Sequence, residues 1–157
     1  MNTGANVIIR VGTIAECVAV SRQIPEFSSN QYDENIYQNR LLNTKFLILV
    51  ALHNETPVGF KVGYQRNADG SFYSWMGGVI PAYRELKIAQ KLADVQEKWV
   101  LQQGFHAITL KTRNRFKAML VFCLKNGFLI ENIEPKEQIE DYRIILRKKL
   151  TNHSFTN

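Results

Sequence analysis

The chain has 157 residues, 45% of them apolar and 22% charged, which is enough to bury a sizeable core and excludes a disordered polymer. Its net charge is +6, an excess that points to an anionic partner or to a solvated basic face. The two cysteines form no CxxC pair and lie near no histidine cluster. That argues against a disulfide framework and a zinc site, so no metal is expected, and it suits a reducing cytoplasm.

Met1 to Arg10 lacks the basic start and apolar block of a secretory leader. Val7–Val11 reads as a first strand. Thr13-Ile-Ala-Glu16 is a capping-box pattern that opens a helix to about Arg22, and Pro25 ends it. A weaker helix covers 32–42, with Ile36, Tyr37 and Leu41 on one face. Lys45–His53 is rich in strand formers. It contains the longest apolar run, Phe46 to Leu52, which is too short to span a bilayer, so no membrane partner is expected. The turns Asn54–Pro57 and Asn67–Gly70 join it to strands Val58–Arg66 and Ser71–Ile80 as an antiparallel meander.

Beyond Pro81 the period becomes helical. Ile88, Leu92, Val95 and Trp99 share one face of a helix that opens at Arg84 and stops at Gly104-Phe105. Ala107–Leu110 is a short strand. Phe116, Met119, Leu120, Cys123 and Leu124 mark another helix, stopped by Gly127-Phe128. Leu129–Ile133 and Tyr142–Leu150 are the last strands, and 151–157 reads as a tail. The order βααβββαβαββ predicts one α/β domain over 1–150, a mixed, mostly antiparallel sheet of about seven strands with four helices. The final strand, Tyr142–Leu150, is the expected edge for pairing with a second copy as a homodimer.

The charge is concentrated. Residues 84–125 carry nine bases against three acids, and the segments on either side each sum to zero. Arg84, Lys87 and Lys91 crowd the expected start of the long helix. Bases there oppose the helix dipole unless an anion is bound, and the N–H groups of a helix start suit a phosphate. Gly77-Gly78 just upstream fits either a close-packed bulge or a strand whose backbone a ligand approaches.

Val79-Ile-Pro-Ala-Tyr-Arg84-Glu-Leu-Lys-Ile-Ala89 resembles the acetyl-CoA motif V-x-P-x-x-[QR]-x-x-G-x-[GA] of the GNAT superfamily of N-acetyltransferases. Asn114 through Ala118-Met119 to Lys125-Asn-Gly-Phe128 resembles the second motif of that family, and the element order matches its fold from Val7 to Leu150. The resemblance implies acetyl-CoA as donor and a small-molecule or peptide amine as acceptor. It implies direct attack of the amine on the thioester, with a backbone N–H near Val79 stabilising the carbonyl oxygen. It further implies that backbone at Gly77, Gly78 and Val79 meets the pantetheine arm. The N–H groups of Glu85, Leu86, Lys87, Ile88, Ala89 and Gln90, with Arg84, would cradle the pyrophosphate. Asn114 would line the far side, with Lys117 or Lys125 near the adenosine phosphate.

Two positions depart from the family pattern. Lys87 replaces the motif glycine. A left-handed backbone there would cost about 1–2 kcal/mol, and the retained Arg84 and Ala89 favour a right-handed one. Cys123 occupies the place where many members carry a tyrosine that protonates the departing thiolate. It is either that acid or a small buried hydrophobe, and water or the product amine is the other proton source. Glu26, in Ile24-Pro25-Glu26-Phe27, is the candidate general base for the amine or an ordinary loop acid. Tyr32, Tyr37, Tyr64, Tyr73 and Trp75 are candidates for an acceptor pocket or for core. His53, His106 and His153 read as structural or surface. Lys87 and Cys123 also motivate a CoA-binding sensor or inactive relative. A nucleic-acid-binding module is the weakest alternative, because the bases lack interleaved aromatics and match no recognition helix, so no nucleic acid is expected.

Overall fold

The structure, a computed structural model, describes residues 6–28 and 32–151. The strands are β1 (Val7–Val11), β2 (Phe46–His53), β3 (Thr56–Tyr64), β4 (Ser71–Val79), β5 (Ala107–Arg113), β6 (Leu129–Glu134) and β7 (Arg143–Lys149). The α-helices are α1 (Ile14–Ser21), α2 (Glu34–Leu41), α3 (Ile88–Gln102) and α4 (Lys117–Lys125). Their sequence is the expected βααβββαβαββ, and the sheet runs β1-β2-β3-β4-β5-β7-β6. Among the described residues no helix is long and apolar enough to cross a membrane. The expected tail lies outside the described residues from position 152 onward, and His153 with it.

The chain divides into two compact units, 1–65 with 74–99 and 66–73 with 100–157. In the first, β2 pairs antiparallel with both β1 and β3. Its core comes from the β2 run Leu47–Ala51, from Val58, Phe60 and Val62 of β3, and from Val18, Val20, Tyr37, Ile88 and Leu92 of the helices. The capping box forms as spaced: Thr13 Oγ1 accepts from the Glu16 N–H at 3.2 Å, and the Thr13 N–H donates to Glu16 Oε1 at 3.0 Å. Arg10 adds an ion pair to Glu16 at 2.6 Å. The β2–β3 hairpin is tighter than expected. Asn54 and Glu55 both take positive φ, as a two-residue turn demands, so β3 starts at Thr56. Pro57 is tolerated because the register shifts opposite it, between Ala51 and Leu52.

In the second unit β7 pairs antiparallel with β5 on one side and β6 on the other. Leu110, Ile144 and Leu146 bury against Cys123, with Met119, Leu120 and Phe128 partly buried around them. This arrangement corrects the expected edge. Tyr142–Leu150 is not an edge, because β7 has a neighbour on each side; the border strand is β6. β5 runs to Arg113 rather than Leu110, since Lys111, Thr112 and Arg113 continue the ladder opposite Ile145, Ile144 and Arg143.

Candidate cofactor and acceptor site

The segment after β4 is not a helix from Arg84 onward. Pro81–Leu86 forms a 3₁₀ turn, Lys87 takes φ 59° and ψ 29°, and α3 begins at Ile88. The expectation of a right-handed Lys87 is therefore overturned. This residue is the joint at which the chain leaves one helical axis and starts another, so the left-handed cost of about 1–2 kcal/mol is present. Glu85 and Leu86 thus belong to the 3₁₀ turn, while Ile88, Ala89 and Gln90 form the first turn of α3. The Lys91 N–H is the first to close the ladder, donating to the Lys87 carbonyl at 3.2 Å. The N–H groups of Ile88 and Ala89 precede it and have no partner within the helix.

Arg84 holds the joint in place. Its Nε donates to the Val79 carbonyl at 3.0 Å, and its terminal nitrogen meets Glu26 at 2.8 Å. The hydrogen bond from Arg84 pulls the Glu26 carboxyl below its ordinary value, against a smaller opposing effect of burial. Glu26 lies in the 3₁₀ turn Pro25–Phe27 that follows α1, so one ion pair ties the α1–α2 segment to the end of β4.

The two glycines differ. A Cβ on Gly78 would meet Ile24 Cδ1 at 2.8 Å and Phe27 Cε2 at 3.2 Å, so Gly78 is where the α1–α2 segment packs onto β4. Gly77 is exposed, and a Cβ there would meet the Phe60 carbonyl at 3.2 Å. Trp75 also faces the α1–α2 segment, through Tyr32 and Tyr37. Residues three apart on a regular strand face opposite sides, so the alternation breaks between Trp75 and Gly78, as at a bulge. Val79 is buried. Gly59 was not singled out from sequence: a Cβ there would press Ile88 at 3.2 Å and Leu92 at 3.4 Å, so its bare backbone seats the start of α3 on β3.

Four of the five aromatic candidates converge. Trp75 stacks on Tyr32 (5.7 Å, 24°) and contacts Tyr37 (5.0 Å) and Tyr64 (5.9 Å), with the Arg40 guanidinium 4.8 Å from its ring centre. Tyr37 is fully buried and its hydroxyl has no hydrogen-bond partner among the described residues; burial raises its pKa. Tyr73 stands apart, in the second unit, beneath the Arg66 guanidinium. His53 packs against the Tyr83 ring at 5.3 Å with its Nε2 buried and without a partner among the described residues, and His106 is exposed.

The remaining candidates belong to the second unit. The Asn114 side-chain amide donates to the Ile139 carbonyl at 3.1 Å, and its backbone N–H to Tyr142. Lys117 and Lys125 are exposed at opposite ends of α4. Cys123 is 1% exposed within the apolar cluster of β5, β7 and α4.

Comparison with known proteins places this geometry. Residues 15–128 match the family described as acetyltransferase (GNAT) family. No curated protein matches the chain significantly by sequence. Among solved structures the chain is similar to Ard1 from Thermoplasma volcanium, at TM-score 0.79 and 17% identity, covering 94% of this chain and 99% of that one. It is similar to the ribosomal-protein-S18-alanine N-acetyltransferase from Escherichia coli, at 0.78 and 12%, covering 92% and 94%. It is also similar to the PaiA N-acetyltransferase from Thermoplasma acidophilum in complex with coenzyme A, at 0.70 and 20%, covering 92% and 99%. The βααβββαβαββ order and the Val79–Ala89 segment are accounted for together: the chain belongs to the GNAT acetyltransferase family and is an acyltransferase.

Proposed function

We propose that the chain is an N-acetyltransferase that uses acetyl-CoA and acts on the primary amine of a peptide or small molecule. The observation that carries this reading is the joint at Lys87, where the opening N–H groups of α3 lie in a stretch of chain that also carries Arg84, Lys87 and Lys91. These groups suit a pyrophosphate: N–H donors, a dipole end and fixed positive charge converge there. The cofactor supplies the acetyl group as a thioester. Exposed backbone at Gly77 and the buried strand end at Val79, pinned through its carbonyl by Arg84, are the proposed contacts of the pantetheine arm.

Glu26 is the proposed contact for the acceptor amine. Its lowered pKa keeps it ionised at neutral pH, which suits holding an ammonium and makes it a poor resting place for a proton. The proton is proposed to pass on to water. Cys123 is buried among apolar side chains, so the departing thiolate is proposed to take its proton from water or the product amine.

Thermal shift with acetyl-CoA, CoA and ATP side by side tests the cofactor. A ligand at a hundred times its Kd adds about 2.7 kcal/mol. Both CoA forms should stabilise the chain and ATP should not, and Arg84→Glu with Ala89→Glu should abolish the shift. No shift at millimolar acetyl-CoA, or a double variant with unchanged affinity, overturns the reading. A second reading, a CoA-binding relative without turnover, is favoured by the strained Lys87 and the buried Cys123. Stabilisation by CoA with no product across a broad amine panel would establish it.

A further inference from the structure

We propose that the second unit carries a binding site for a short acidic peptide segment, on the sheet face turned away from α4 and centred on Lys111 and Arg143. The register places the residues. Lys111 and Arg113 of β5 lie opposite Ile145 and Arg143 of β7, and alternate residues share a face. The intervening Leu110, Ile144 and Leu146 turn the other way, into the cluster around Cys123 on α4. Lys111, Arg113 and Arg143 therefore stand on one surface, all half-buried.

Arg113 and Arg143 are direct cross-strand partners of the same sign, an arrangement that destabilises a sheet unless something offsets it. Glu134 stands opposite Arg143 across the β6–β7 ladder but forms no ion pair among the described residues, and the other carboxylates at hand are engaged by arginines around the spot. Asp141 sits 2.7 Å from Arg115 and 3.9 Å from Arg113, and Glu131 lies 2.9 Å from Arg147. Among the described residues no side-chain hydrogen bond or ion pair engages Lys111 or Arg143. The Lys111 ammonium is held below its ordinary pKa, first by burial and then by Arg66, with Arg143 and Lys136 adding to this and Glu134 opposing. A half-buried cation among cations is the environment that an incoming carboxylate relieves.

The surroundings select the ligand. Asp69, Glu131, Glu134 and Asp141 border the spot. A strand of uniform negative charge, such as a nucleic acid, would run onto those carboxylates, whereas one or two acidic side chains on a short peptide need only the centre. That this peptide is the amine acceptor rests on the reading proposed above; the anion site itself does not.

The test is fluorescence anisotropy with the full chain and three labelled probes: an N-terminally blocked peptide containing two Asp or Glu residues, the same peptide with Asn and Gln in their place, and a short single-stranded oligonucleotide. The acidic peptide should bind and the amide peptide should bind at least tenfold more weakly. Lys111→Met and Arg143→Met should each weaken the acidic peptide about tenfold, the loss expected for one charge-assisted contact. Raising salt from about 50 to about 300 mM should weaken it further. Thermal midpoints that do not fall, with unchanged stabilisation by CoA in both variants, would locate the loss at this face. Equal binding of the two peptides, indifference to both variants, or preferential binding of the oligonucleotide overturns the proposal. A wild-type chain that binds the acidic peptide but gives no shift with acetyl-CoA would remove the cofactor reading and leave this site standing.

Discussion

Lys87 holds the backbone where glycine is the undemanding choice, at φ 59°. Replacing it with glycine removes about 1–2 kcal/mol of strain and adds roughly 0.5–1 kcal/mol of unfolded-state freedom. Lys87→Gly should therefore raise stability by up to about 1 kcal/mol, read as a higher thermal midpoint; a fall of that size would mean that the lysine side chain contributes more than the strain costs. The Glu26–Arg84 pair predicts a pH dependence of fixed sign. The folded carboxyl binds its proton more weakly than the unfolded one, whose ordinary value is 4.5. The pair's stabilisation is thus present above 4.5 and lost as pH falls through the lower folded value. Both side chains are 42% exposed, so the contribution is small and salt-sensitive. The midpoint difference between wild type and Glu26→Gln should shrink to nothing in acid; a difference that persists at low pH would place the effect of the glutamate in packing instead.

The elements depend on local devices that differ in how far the sequence reveals them. Thr13→Ala removes the cap acceptor of α1 and should cost about 1 kcal/mol in thermal or urea unfolding. Gly78→Ala forces a Cβ to within 2.8 Å of Ile24, so it should destabilise by more than the cap variant and shift the α1–α2 segment away from β4. The capping box was legible because Thr13 and Glu16 are three residues apart and make their own bonds. Helix α3 was legible from Ile88, Leu92, Val95 and Trp99, but its buried face was not, since Val95 is exposed and Gln96 and Val100 are buried with Ile88 and Leu92, and neither was its start. A lysine carries no mark of a left-handed backbone, and the 3₁₀ turn before it is set by contacts from elsewhere, with Arg84 and Glu26 lying 58 residues apart in the chain. The place of β7 was hidden for the same reason. Strand order is decided by which ladders close, and β7 inserts between β5 and β6 although β6 precedes it. Gly59 was missed because its function, seating Ile88, exists only once α3 has packed.

Taken as a whole, the chain joins an expected family frame to a charge distribution of its own. Of the nine bases in residues 84–125, four (Arg84, Lys87, Lys91 and Lys98) lie in the first unit with all three acids, and five (Lys111, Arg113, Arg115, Lys117 and Lys125) lie in the second with none. The cysteines divide likewise. Cys17 is fully buried in the first unit, where burial pushes its thiol up to about 12, and Cys123 is 1% exposed in the second. A thiol that is covered and protonated does not react with a disulfide reagent until its surroundings open. The protein therefore carries two internal clocks, one per unit, needing no engineered label. Labelling in increasing urea, resolved by mass spectrometry of the two cysteine peptides, would time each opening separately. Identical rates would mean that both halves come apart in one event, and an earlier Cys123 would mark the β5–β7 half as the first to yield.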